Sequence, residues 1–263
     1  MELDTTPVGQ PPNGLVKSAA RALELLDDIA THGPGTQLLL ATRLGIPKSS
    51  LHALLRTMTA RGWLETDQTG SVYRLGIHSL MLGSAYLGGD TVVARASAAM
   101  DEVASATGEA VHLGRLDGHH VVYTAKREST HPLRMHSGVG RRLPAYSTAL
   151  GRAILAAQSV ALREQLVPED ITPLTVRTTT DKRRVLEIID AAAVAGYAVE
   201  SEESCLGVRC FAVTLPFERA GTDALSVAVP MSRLDGPRED FIIETLLSVK
   251  ARLAAVYDNS MVR

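Results

Sequence analysis

Between Leu38 and Arg61 apolar positions recur at helical spacing on both sides of one break. LLLATRLG reads as a short apolar helix, Gly45 turns the chain, and a second helix opens after Pro47. On the second helix, about 100° per residue places Leu51, Leu54, Leu55 and Met58 along one stripe, while Ser49, His52, Ala53 and Arg56 point away. Ala41 is small where two helices cross, Gly45 sits where the chain must turn, and Leu51 anchors the second helix inward. That combination predicts a helix-turn-helix. Pro47 presets the backbone of a first helical turn, and Ser49 or Ser50 can satisfy its open N–H groups. Upstream, Ser18 can cap a helix in which Ala19, Ala22, Leu23, Leu26, Ile29 and Ala30 keep helical spacing until Gly33-Pro34-Gly35. Downstream, Trp63–Glu65 and Tyr73–Leu75 read as strands joined by a turn containing Asp67 and Gly70, which predicts a wing.

The pattern then changes twice. Ile77 to Leu87 is apolar and helix-prone, Gly88-Gly89 breaks it, and Thr91 to Thr107 predicts a long alanine-rich helix. Such a pair can join two domains and offer a stripe to a second subunit. Beyond Gly108, Ala110–Leu116 and Val121–Lys126 flank the hairpin signal Asp117-Gly118. Ser147 or Thr148 can cap a helix reaching Ala157, Val160 to Leu166 adds one or two helical turns, and Asp181 can cap a helix stopped by Gly196. Strand-like runs follow at Tyr197–Ser201, Cys210–Pro216 and Ala224–Pro230, with Glu218 to Asp223 as a connecting turn, before an amphipathic helix from Arg238 to about Tyr257. The fold class is α+β: an N-terminal winged helix-turn-helix domain, a helical linker, and a C-terminal domain with helices on an antiparallel sheet. The expected divisions are residues 1–14 as a flexible lead, 15–89 as the winged domain with its linker helix, and 90–263 as the second domain.

With 263 residues, 45% of them hydrophobic, the chain can bury two cores. Its formal net charge is -2, yet Arg43, Lys48, Arg56, Arg61 and Arg74 face only Glu65 and Asp67 between positions 43 and 74. Local basic charge on an otherwise acidic chain suits phosphate contact. A solvated face in a helical bundle is the plainer alternative. Residues 1–14 contain three prolines and no apolar run, unlike a signal peptide, and nothing approaches the roughly 20 apolar residues of a membrane span. The two cysteines, Cys205 and Cys210, are too few for a disulfide framework, which fits a reducing cytoplasm.

Candidate chemistry is sparse. Cys205 and Cys210 lack the spacing of a zinc ribbon or redox pair. His112, His119, His120, His131 and His136 are close in sequence, but strand alternation scatters them, so they are read as surface or turn histidines and no metal or cofactor is expected. No Gly-x-Ser-x-Gly elbow is present, so no catalytic residue and no enzyme activity is assigned. Gly140 to Pro144, despite the basic pair Arg141-Arg142, reads as a solvated loop or a domain or subunit contact.

Five stretches together resemble the IclR family of bacterial transcriptional regulators: SAARALELLD, GIPKSSLHALLRTMTARGWLE, YRLG, GRRLPAYSTALGRAILA from Gly140, and ESEESCLGVRCFAVTLPF from Glu200. The resemblance implies a GAF-like effector-binding domain, a homodimer or dimer of dimers, and control of an operon by a small metabolite. With the face of the second helix it implies DNA contact through Lys48, Ser49, Ser50, His52, Ala53, Arg56 and, in the wing, Arg74. It also carries a pocket onto Ala149, Leu150, Glu200, Cys210 and Ser226, for a small organic acid. Many members have an arginine where this chain has Ala53, and a further hydroxyl where it has Ala228. A ligand sensor that uses its winged domain for protein contacts is the other reading, and retention of double-stranded operator DNA separates the two.

Overall fold

The computed structural model describes residues 16–131, 137–217 and 221–261. The expected lead at 1–14 and His136 lie outside them, as do residues 218–220 of the turn expected after Phe217. The chain divides into two compact units between Gly89 and Asp90. Among the described residues no helix is long and apolar enough to cross a membrane.

The first unit is built on α1 (Lys17–His32), α2 (Gln37–Leu44) and α3 (Lys48–Ala60). Leu25 and Ile29 of α1, Leu40 and Ala41 of α2, and Leu51, Leu55 and Met58 of α3 share one core. Gly45 ends α2 in the left-handed region at φ 61°, where a side chain would be strained, so the turn needs glycine. Two cap assignments fail. Ser18 lies inside α1, which starts after Val16 without a side-chain cap, and α3 starts after Pro47 with neither Ser49 nor Ser50 capping it. Pro47 itself occupies the cap position. An extra short strand, β1 (Gly35–Thr36), pairs with β3 (Val72–Leu75), which pairs in turn with β2 (Leu64–Thr66). At the wing tip, Asp67 accepts from the backbone N–H of Ser71 and Val72. These bonds, that to Val72 foremost, hold its carboxyl below the usual range. Helix α4 (Ile77–Gly88) closes the unit and has no buried residue.

In the second unit, α5 (Thr91–Thr107) is followed by β4 (Ala110–Asp117) and β5 (His120–Arg127). Next come β6 (Arg142–Pro144), α6 (Ala149–Ala156), α7 (Val160–Leu166) and α8 (Lys182–Ala195). Strands β7 (Ala198–Ser201), β8 (Val208–Thr214) and β9 (Asp223–Pro230) precede α9 (Gly236–Met261). The six strands form one antiparallel sheet in the order β6-β5-β4-β9-β8-β7. Residues 140–144 are therefore no free loop: Arg142–Pro144 pair with His120–Val122 as the sheet's edge strand. Three residues are too few for an alternating signal to declare a strand.

Helices cover both faces. On one, Val111, Leu113, Phe211, Val213, Leu225 and Val227 pack with Met100 and Val103 of α5 and Ile242 and Leu246 of α9. The stripe of α5 is thus committed to its own core, and of the two helices expected to serve a second subunit only α4 remains open. On the other face, Val121, Ala212 and Ala224 pack under Ile154 and Leu155 of α6 and Val185 and Ile189 of α8. Asp90 caps α5, Thr148 caps α6 and Asp181 caps α8. Asp90 also pairs with Arg115, whose guanidinium reaches Asp223 at 2.7 Å, so the entry of the domain is tied to β4 and β9.

Candidate functional site

Helix α3 buries Leu51, Leu55 and Met58 and exposes Lys48, Ser49, His52, Ala53 and Arg56, with Ser50 half-buried at the margin. Burying one stripe leaves the opposite face free for a groove. Its charge is less than the sequence count indicates. The Arg43 guanidinium lies 2.8 Å from the buried Asp28 carboxylate, which also meets His32. Arg74 lies 3.3 Å from Glu65, its cross-strand partner in the wing. Lys48 and Arg56 carry the positive face of the helix. Gln37, which the sequence reading left out, bridges α2 to α3: its Nε2 donates to the Lys48 carbonyl at 3.1 Å, and its Oε1 lies 3.3 Å from His52 Nδ1.

The second candidate site is the face of the large sheet beneath α6. The row across its centre runs His112, Ser226, Ala212 on β4, β9 and β8; the next runs Ala110, Ala228, Cys210, Glu200. Small residues dominate this face, whereas the α5/α9 face carries Val, Leu and Phe. Gly114 makes a close approach: a Cβ there would stand 2.6 Å from Val121 and 2.9 Å from Leu150. Leu150 and Ala149, both buried, therefore sit at the start of α6 directly over β4. Thr148 Oγ1 accepts from Gly151 N–H at 3.0 Å, and the first-turn amides remain oriented as an anion-accepting end.

Glu200 is 1% exposed, but its carboxylate accepts from Glu203 N–H at 2.5 Å and from Ser204 N–H at 2.8 Å and hydroxyl at 3.1 Å. Burial pushes its pKa up against those bonds. Its first work is to fold the 201–204 turn. Glu203 grips Arg152, itself buried, through two bonds of 2.7 and 2.8 Å. Desolvation and the adjacent Glu200 push the Cys210 thiol well above its ordinary value, so it is protonated and no nucleophile at neutral pH.

His112 overturns its reading as a surface histidine: it is 1% exposed, and its Nε2 lies 2.7 Å from Ser137 Oγ. Burial, helped by Lys126 and Arg141, lowers its pKa to about 4, so the ring is neutral. It stacks on Tyr123 with centroids 4.7 Å apart. Burial, with Cys210 and Glu200 adding to it, raises the Tyr123 phenol. His112, Tyr123, Ser226 and Cys210 thus form a neutral polar floor. Among the described residues no group of three His, Cys, Asp or Glu could hold a metal. Ser226, 3% exposed, stands directly opposite His112.

The family model described as "Bacterial transcriptional regulator IclR C-terminal" matches residues 84–254, and "IclR helix-turn-helix domain" matches residues 18–68. The chain belongs to the IclR family. The HTH-type transcriptional regulator XynR of Escherichia coli is 32% identical over 224 residues, covering 84% of this chain and 89% of that protein. The transcriptional repressor IclR of the same organism is 30% identical over 241 residues, covering 87% and 85%. An IclR-type regulator from Alicyclobacillus acidocaldarius, known by crystal structure, superposes with a TM-score of 0.80 at 26% identity, covering 92% of this chain and 98% of that one. As in its IclR relatives, a helix-turn-helix domain precedes a ligand-binding domain. Its relatives are transcriptional regulators.

Proposed function

We propose that the chain regulates transcription by binding a roughly palindromic operator as a dimer, or dimer of dimers, and that a small organic acid in the second domain modulates that binding. In this reading residues 15–89 are the DNA-binding unit, with Lys48, Ser49, Ser50, His52, Ala53 and Arg56 of α3 entering a major groove and Arg74 supporting the wing. Residues 90–263 are the effector unit. The observation that carries the reading is the exposed polar face of α3, opposed to the buried Leu51, Leu55 and Met58, in a chain of this family. One recognition helix covers few base pairs, so useful specificity takes two half-sites about a twofold axis. The uncovered apolar side of α4 supports a second copy there: Leu80 is 64% and Leu82 63% exposed.

For the effector, the amides of Ala149 and Leu150 take the carboxylate, and Ser226 with the neutral His112–Tyr123 pair holds a hydroxyl or keto oxygen. Glu200 and Cys210 wall the far side. Ala228 supplies no hydroxyl, which leaves room for a larger sugar-derived or aromatic acid. Retention of the chain's own upstream DNA in a gel at low salt tests the central claim, and its absence sinks it. A thermal-shift screen of organic acids, repeated as DNA binding, identifies the effector, since a ligand that prefers the folded state raises the midpoint.

A further inference from the structure

Gln37 is the first residue of α2 and stands beside the opening turns of α3. Its two contacts constrain each other. The Lys48 carbonyl can only accept, so the amide nitrogen, 3.1 Å away, must face it, and the amide oxygen is left toward His52. That oxygen also only accepts. The 3.3 Å contact therefore requires a proton on His52 Nδ1. A neutral ring with that proton in place carries a bare lone pair on Nε2, and His52 lies on the exposed face of α3.

We propose that Gln37 is a specificity-positioning residue: by fixing the Nδ1–H tautomer it makes His52 Nε2 a hydrogen-bond acceptor that selects a major-groove donor. Only two groups there donate, the N4 amine of cytosine and the N6 amine of adenine, whereas guanine and thymine offer acceptors at the corresponding edge. Without Gln37 a neutral imidazole places its proton on either nitrogen and reads either class. Gln37 acts through His52 and needs no contact with DNA. The inference rests on the operator-binding reading above.

Selection of the full-length chain on a randomised duplex pool at pH 8, where a free imidazole is neutral, tests it. The parent should prefer cytosine or adenine at one position of each half-site by about fivefold, the effect of one net hydrogen bond. His52→Phe should lose the preference at that position and keep it elsewhere. Gln37→Leu should bring the same position toward parity while the others hold; mere loosening of the α2–α3 contact would blur every position alike. Gln37→Glu, which still accepts from Nδ1, should retain cytosine or adenine. Gln37→Lys, which donates to Nδ1 and drives the proton to Nε2, should turn the preference to guanine or thymine. A parent preference for guanine or thymine at the His52 position, or a Gln37→Leu profile identical to the parent's, overturns the proposal alone. A parent that retains no DNA at low salt overturns the operator-binding reading along with it.

Discussion

Arg56 projects from the exposed face of α3 two turns beyond Pro47, long enough and permanently charged for a phosphate. As a phosphate clamp, Arg56→Ala should weaken all sequences alike and reduce the slope of log affinity against log salt by about one; a changed base preference would make it a reader instead. At the sheet, Ser226→Val should keep DNA retention and abolish its response to the acid that shifts the parent, because the methyl groups fill the space but remove the hydrogen bond. An unchanged response places Ser226 outside the site. His112 gives a stability signature. With its folded pKa near 4 and an ordinary value of 6.5, the unfolded chain takes up the proton first, so its contribution is full above pH 6.5 and is lost as pH falls toward 4. On the order of 3 kcal/mol is at stake. Urea midpoints at pH 7.5, 5.5 and 4.5 should fall more steeply for the parent than for His112→Phe, and parallel curves would refute this. The α3 face was legible because helical period alone separates Leu51 from His52. His112 and Tyr123 were not. The ladder slips between Leu113 and Gly114, so that Thr124 is an extra residue. Tyr123 therefore faces α6 while Ala125, two residues on, faces α5 and α9. Strict alternation would put them on one side.

At the scale of elements, the caps show where sequence suffices. Thr148 and Asp181 cap because an oxygen-bearing side chain precedes an apolar helix and meets its first amides, and Asp90, which the sequence did not single out, does the same for α5. Ser18 offered the same signal but α1 begins one residue before it. Sequence marks a helix start only to within a residue or two. The short strands β1 and β6 were illegible for another reason: their partners lie far along the chain, and two or three residues carry no period of their own. For α4 the sequence showed an apolar helix, and only the structure separates it from α5, whose stripe is buried in its own domain. Met81→Glu, in the centre of that open face, should leave the fold intact and lower the mass measured by sedimentation toward one chain, with DNA retention lost in parallel. A dimer of unchanged stability would move the interface elsewhere.

At the scale of the whole molecule, each unit's contacts set its own order of assembly. The winged unit closes over short distances, with α1 to α3 and the wing contiguous in sequence. The second unit does not. Its first strand, β4, lies at the centre of the sheet against its last, β9, so the ladder from Ala110–Ala228 to Arg115–Asp223 joins segments more than a hundred residues apart. Non-local pairing of that kind is slow, because loop closure must come before the contacts that reward it. During translation, at about 5–20 residues per second, the last residue of the winged unit is added roughly 7 to 30 seconds before Pro230. For that interval, in the function proposed above, a nascent chain carries the whole of its DNA-binding unit and only part of its effector unit. On that proposal the gene product passes through a ligand-blind stage each time it is made, tethered beside the very DNA from which its message came wherever transcription and translation are coupled.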